Sequence, residues 1–126
     1  MAQKILIVED ECDLRELYAR QFAKAGYEVD QLEKGDTVID AIKNTSYDMV
    51  LLDVMLPGLN GIGVLRMLRE DDQLKNMPII MISNLGDEKV IQEAKKLGIL
   101  DYIIKATLTP RQIVEKVSQT LQKIQA

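Results

Sequence analysis

Met49-Val50-Leu51-Leu52, followed at once by Asp53, is the stretch from which the architecture of this chain can be read. Four consecutive apolar residues with no polar alternation indicate a strand buried on both faces, as in a parallel sheet covered by helices on each side. This run is the most apolar of its length and reads as the central strand. A carboxylate at the end of such a run carries a desolvation cost unless something compensates it. Further out, Lys4-Ile5-Leu6-Ile7-Val8 has the same form and runs into Glu9 and Asp10. If the two strands are neighbours, three acids converge at the C-terminal edge of the sheet, where open α/β sheets bind their ligands. Three anions crowded there call for a cation.

The rest of the chain alternates in the same way. Leu14, Leu17, Tyr18 and Phe22 fall at helical spacing within 13–25, and Gly26 supplies the stop signal. A shorter, more polar strand follows over 27–32, which suits a sheet edge. A short helix is expected over 36–43. The turn-rich Pro57-Gly58-Leu59-Asn60-Gly61 leads into a helix carrying Val64, Leu65 and Leu68. A fourth strand follows Pro78 as Ile79-Ile80-Met81-Ile82. A fourth helix over 87–97 has Val90, Ile91, Ala94 and Leu97 facing inward and closes at Gly98. A fifth strand covers 101–104. The last helix opens at Thr109-Pro110, a capping residue followed by proline at the first helical position, and ends near Ile124. Strict strand–helix alternation implies an α/β domain with a parallel sheet and helices on both faces. Residues 1–126 are expected to form that one domain, with no output domain.

Composition narrows the function. The chain has 126 residues, 47% of them hydrophobic and 29% charged, with a net charge of −4, which suits one globular domain and argues against general affinity for nucleic acid or anionic membrane. No apolar run approaches a membrane-spanning length, and no signal peptide is evident. With the single cysteine, Cys12, there is no internal disulfide framework, and the expected location is the cytoplasm. Cys12 reads as a helix-start residue, because nearby anions disfavour a thiolate. The sequence has no histidine, which removes histidine-ligated metals and histidine bases from consideration.

The acids fit a hard cation. Mg²⁺ takes one or two carboxylates, waters and a substrate phosphate, whereas a softer metal would want cysteine or histidine. Two further strand ends add Ser83 and Lys105. A hydroxyl and an ammonium beside three carboxylates are what a phosphoryl group needs once attached to one of them.

In this order and context, Glu9, Asp10, Asp53, Pro57-Gly58, Ser83, Tyr102 and Lys105 resemble the pattern of receiver domains in the two-component response-regulator family, single-domain chemotaxis regulators among them. The resemblance covers essentially the whole chain. It implies a flavodoxin-like doubly wound fold with strand order 2-1-3-4-5 and five helices. It also implies that Asp53 is the phosphoacceptor, forming an acyl phosphate. Glu9, Asp10, Asp53 and the backbone carbonyl of Met55 would hold Mg²⁺. Lys105 would bridge to the phosphoryl group, Ser83 would swing toward it, and Tyr102 would follow inward. The fourth helix, fifth strand and fifth helix would form the readout surface. The phosphodonor would be a sensor histidine kinase or a histidine phosphotransfer protein, and the output would be read by a partner protein. The chain would be a signalling protein rather than an enzyme, catalysing only its own phosphorylation and dephosphorylation.

Several positions depart from the family pattern. Ala106 stands where proline, joined by a cis bond, usually follows the lysine, and a trans bond is expected here. Asn84 stands where a small residue is commoner, and its size is expected to narrow access to Asp53. Glu9 replaces the commoner aspartate and is expected to reach the metal through water. Met55 and Leu85, at positions that resemble those tuning phosphoryl lifetime, are apolar, so self-dephosphorylation is expected to be slow. Three other readings compete. The first is a binding module of this fold that works without phosphorylation. The second is an aspartyl-phosphate hydrolase, which would want an aspartate at position 55. The third is a nucleotide binder, which would want a phosphate loop where Glu9-Asp10-Glu11 stands.

Overall fold

The computed structural model describes residues 2–84 and 86–125; Leu85 lies outside them. Five strands, β1 (Lys4–Val8), β2 (Glu28–Leu32), β3 (Met49–Asp53), β4 (Ile79–Ser83) and β5 (Asp101–Ile104), alternate with five helices. The helices are α1 (Cys12–Lys24), α2 (Val38–Asn44), α3 (Gly61–Glu70), α4 (Glu88–Lys96) and α5 (Pro110–Gln125). All four strand pairings are parallel, and the order is β2-β1-β3-β4-β5. This is the doubly wound sheet expected from the sequence, with the polar β2 at an edge. No helix among the described residues is long and apolar enough to cross a membrane.

Local chemistry sets the helix ends. Thr109 Oγ1 accepts from the Gln112 N–H at 3.2 Å, and the Gln112 side chain accepts from the Thr109 N–H at 2.8 Å. This reciprocal capping box opens α5. Asn60 caps α3 by accepting from the Gly63 N–H, and Asp87 caps α4 by accepting from the Lys89 N–H. Beyond the ends of α1 and α4, Gly26 and Gly98 adopt positive φ, which glycine does at no steric cost. The helix expected from Asp36 opens instead as a 3₁₀ turn at Gly35–Thr37 before α2 begins.

Pleating divides the core in two. Leu6, Val8, Val50, Leu52, Ile79 and Met81 pack with α2, α3 and Ala94 of α4. Their chain neighbours Ile5, Ile7, Met49, Leu51, Ile80 and Ile82 face the other way, against α1 and α5. Successive side chains of a strand point to opposite faces. The same alternation continued to the strand ends carries Glu9, Asp53 and Lys105 toward the α1/α5 side, and Ser83 and Tyr102 toward the other.

Helix α4 departs from its expected packing. Of its residues only Ala94 is fully buried. Val90 and Leu97 are half-buried against the core, while Ile91 lines a surface groove with Ile99, Tyr102 and Ile104. The helix lies over the sheet edge, where one narrow stripe suffices to cover β5. Polar ties hold it as well. Arg66 of α3 pairs with Glu93, and Arg69 donates to the carbonyls of Leu97 at 2.6 Å and Gly98 at 3.2 Å.

Candidate functional site

The C-terminal ends of β1, β3, β4 and β5 meet at one sheet edge, in register Val8↔Leu52, Asp53↔Ile82 and Ser83↔Ile104. This register brings the sequence-derived residues together. Asp53 is the last residue of the central strand and is 1% exposed. Its Oδ2 accepts from Lys105 Nζ at 2.7 Å, and its Oδ1 accepts from the Met55 N–H at 2.9 Å. Glu9 is likewise 1% exposed, and its Oε1 also accepts from Lys105 Nζ. One ammonium therefore bridges two buried carboxylates from residues 44 positions apart in the chain. Asp10 is exposed at the rim, and Met55 is 61% exposed.

The buried setting perturbs Glu9. Burial, with Asp53 beside it, pushes the Glu9 carboxyl up to about 8. Burial alone would pull the Lys105 ammonium down, but its hydrogen bonds to Asp53 and Glu9 prevail, and the net shift is upward. Tyr18 of α1 is buried within electrostatic reach of Lys105, Glu9 and Asp53, and burial raises its phenol to about 12. On the opposite face Tyr102 is raised by burial, while a hydrogen bond with Ser83 works the other way. The hydroxyl and the aromatic proposed to move together are thus in contact.

An all-oxygen metal fits these groups. Glu9, Asp10 and Asp53 each offer a carboxylate oxygen, and these oxygens lie within 4.8 Å of one another. Glu9 Oε2 is buried without a hydrogen-bond partner, so one oxygen of this acidic cluster is left free to take a ligand. The donor set suits a hard divalent cation.

Two contributors, Arg15 and Gly61, escaped the sequence, and the partner of a third, Asn84, was not legible there. Arg15 of α1 donates to the Glu9 carbonyl at 3.0 Å and so fixes the β1–α1 loop; one helical turn beyond an acidic pair, it carries no signal that separates it from a surface arginine. Gly61 admits α3 beneath the site, since a Cβ there would sit 2.1 Å from the Asp53 carbonyl oxygen and 2.9 Å from the Val54 Cα. Asn84, expected to crowd Asp53, instead turns toward the next strand, and its Oδ1 accepts from the Ala106 N–H at 3.0 Å. The Lys105–Ala106 peptide is trans, as expected. A surface cleft of about 570 Å³, lined by Arg69, Met77, Leu97 and Leu100, lies at the opposite end of the sheet, remote from the carboxylates.

Fold and site together define a doubly wound α/β domain with a lysine-bridged acidic pocket at the edge of its sheet. Residues 5–118 match the model of the response regulator receiver domain, and the chain belongs to that family. It is 38% identical over 120 residues to the transcriptional regulatory protein ResD of Bacillus subtilis (strain 168), covering 95% of this chain and 48% of that one. It is 36% identical over 105 residues to the sporulation initiation phosphotransferase F of the same organism, covering 83% of each. The chain thus spans about half the length of ResD and most of the phosphotransferase. Among solved structures, a putative response regulator from Chloroflexus aurantiacus J-10-fl superposes with a TM-score of 0.87 at 28% identity, covering 97% of this chain and 99% of that one. The chemotaxis response regulator CheY4 of Vibrio cholerae, at 23% identity and a TM-score of 0.86, shares the fold over 95% of this chain and 99% of its own.

Proposed function

We propose that this domain accepts a phosphoryl group on Asp53 in a Mg²⁺-dependent reaction and passes the change to a partner protein. The observation that carries this reading is the buried Asp53 carboxylate at the end of β3, held by Lys105 on one oxygen and by the Met55 N–H on the other. An Asp53 oxygen attacks the donor phosphorus, the bond from phosphorus to the donor breaks, and an acyl phosphate remains. Glu9, Asp10, Asp53 and the Met55 carbonyl would hold the metal, which supplies positive charge against the phosphoryl oxygens. Lys105 supplies a second positive charge, fixed in place before the phosphoryl group arrives.

The 126 residues hold no histidine, so a phosphohistidine donor, on a sensor kinase or a phosphotransfer protein, approaches from outside this domain. Ser83 then turns to the new oxygens, and Tyr102, in contact with it, follows. One added dianion shifts the balance between two arrangements of these side chains. The receiver is a signalling device, and its only chemistry is on its own Asp53. Its output partner is a protein that contacts α4, β5 and α5, without direct nucleic-acid contact by this domain.

Intact mass after incubation with a small phosphoramidate tests the reading. A base-labile adduct of one phosphoryl group should form in the wild type with Mg²⁺, and neither in Asp53→Asn nor in the presence of EDTA. An adduct that persists in Asp53→Asn, or none in the wild type even with a phosphohistidine protein donor, overturns it. The adduct should also be long-lived. The exposed Met55 cannot orient an attacking water by a hydrogen bond. Met55→Asn should shorten the lifetime roughly tenfold by positioning that water, while Met55→Leu should leave it unchanged. Equal decay in the two variants would count against this role for position 55.

A further inference from the structure

Ser83 and Ile104 are the last registered pair of β4 and β5, so the backbone ladder ends there. The next connection across the gap is made by a side chain, with Asn84 Oδ1 accepting from the Ala106 N–H at 3.0 Å. Ala106 belongs to a 3₁₀ turn, Lys105–Thr107, whose start is also tied by the Thr107 hydroxyl to the Ile104 carbonyl at 2.8 Å. Lys105 sits between these two ties, and its side chain, 9% exposed, runs from there to Asp53 and Glu9. The connection needs both members. Position 106 must have an N–H, which alanine has and proline lacks, and position 84 must have an acceptor that reaches across the strand gap. Asn84 and Ala106 therefore form one device.

We propose that Asn84 is a positioning residue for Lys105. Its amide extends the β4–β5 ladder by one side-chain hydrogen bond and fixes the backbone from which the ammonium reaches the two buried carboxylates. The kinetic consequence, though not the structural one, rests on the reading of Asp53 as phosphoacceptor. A role in obstructing access to Asp53 makes the opposite kinetic demand, because removing an obstruction speeds phosphorylation.

The test uses Asn84→Ala, Ala106→Pro, the double variant and Asn84→Asp, which keeps an acceptor. Two readouts need no phosphorylation, namely hydrogen exchange of the Ala106 amide and the ¹³C side-chain order parameter of Lys105. In Asn84→Ala the Ala106 amide should exchange about three- to tenfold faster, as loss of one neutral hydrogen bond implies, and Lys105 should become less ordered. Asn84→Asp should keep Ala106 protected. The phosphorylation rate constant with a small phosphoramidate should fall by a similar factor at unchanged half-saturation. Asn84→Ala and Ala106→Pro should be non-additive, since removing the second partner of a broken bond costs nothing more. Unchanged Ala106 exchange and Lys105 order in Asn84→Ala, or faster phosphorylation, overturns the proposal. If the wild type takes no phosphoryl group from any donor, the Asp53 reading falls, and exchange and order still decide the role of Asn84.

Discussion

In the absence of divalent cations, the wild-type protein is expected to lose on the order of 2 to 4 kcal/mol of folding stability, relative to Glu9→Gln, as pH rises from about 4.5 to about 8. The Glu9 carboxyl titrates near its ordinary 4.5 in the unfolded chain and near 8 in the fold, where burial beside Asp53 disfavours the anion. Between those values the folded state holds a proton that the unfolded state has released. Stability from this group is therefore fully present below about 4.5 and falls as pH rises through the folded value. The figure is below the full linkage value because the site opens to water at the Asp10 rim. A neutral amide at position 9 does not titrate, so the difference between the two proteins removes the contribution of every carboxylate outside the Glu9–Lys105–Asp53 cluster. Urea unfolding in EDTA at pH 4.5, 6 and 8 measures it, and a difference that stays flat with pH would refute the assignment. Mg²⁺ at pH 8 should restore more stability to the wild type than to Glu9→Gln, because a cation bound only by the folded state stabilises it by mass action.

Strands β1, β3 and β4 could be read from sequence because each holds an apolar run closed by a polar residue, a pattern that local solvation alone imposes and that the polar edge strand β2 lacks. For the same reason the sequence was silent about faces. Strands buried on both sides carry no period-two alternation, so nothing in Met49-Val50-Leu51-Leu52 says that Asp53 joins Glu9 and Lys105 while Ser83 joins Tyr102. That division requires the register. The bridging of Glu9 and Asp53 by Lys105 was hidden too, because it joins residues 96 and 52 positions apart. Asn84 and Ala106 were each legible as a departure from the family pattern. Their partnership was not, because it depends on where the β4–β5 ladder ends. Helix α4 was over-read for a related reason, since apolar spacing marks Ile91 as inward but cannot say that it lines an open groove beside the edge strand β5.

Lys105→Met should reduce the rate of Asp53 phosphorylation by about 10²- to 10³-fold, the usual cost of removing one preorganised charge from a transferring group. Methionine keeps an unbranched stem of similar length, so the packing around the 9% exposed side chain is retained and the charge alone is lost. The fold should persist because Glu9 already holds a proton at neutral pH, which leaves the pocket with less net charge than two bare carboxylates. Lys105→Arg should recover only part of the rate, because a planar guanidinium cannot place a single point of charge between Glu9 Oε1 and Asp53 Oδ2. Mg²⁺ affinity separates the causes. Lys105 now occupies the carboxylates that would hold the metal, so removing it should leave affinity unchanged or tighter. A rate loss at full metal saturation then belongs to the missing ammonium. The measurement is the single-turnover rate with a small phosphoramidate at saturating Mg²⁺, and a Lys105→Met rate within threefold of wild type would remove Lys105 from the phosphoryl-transfer chemistry.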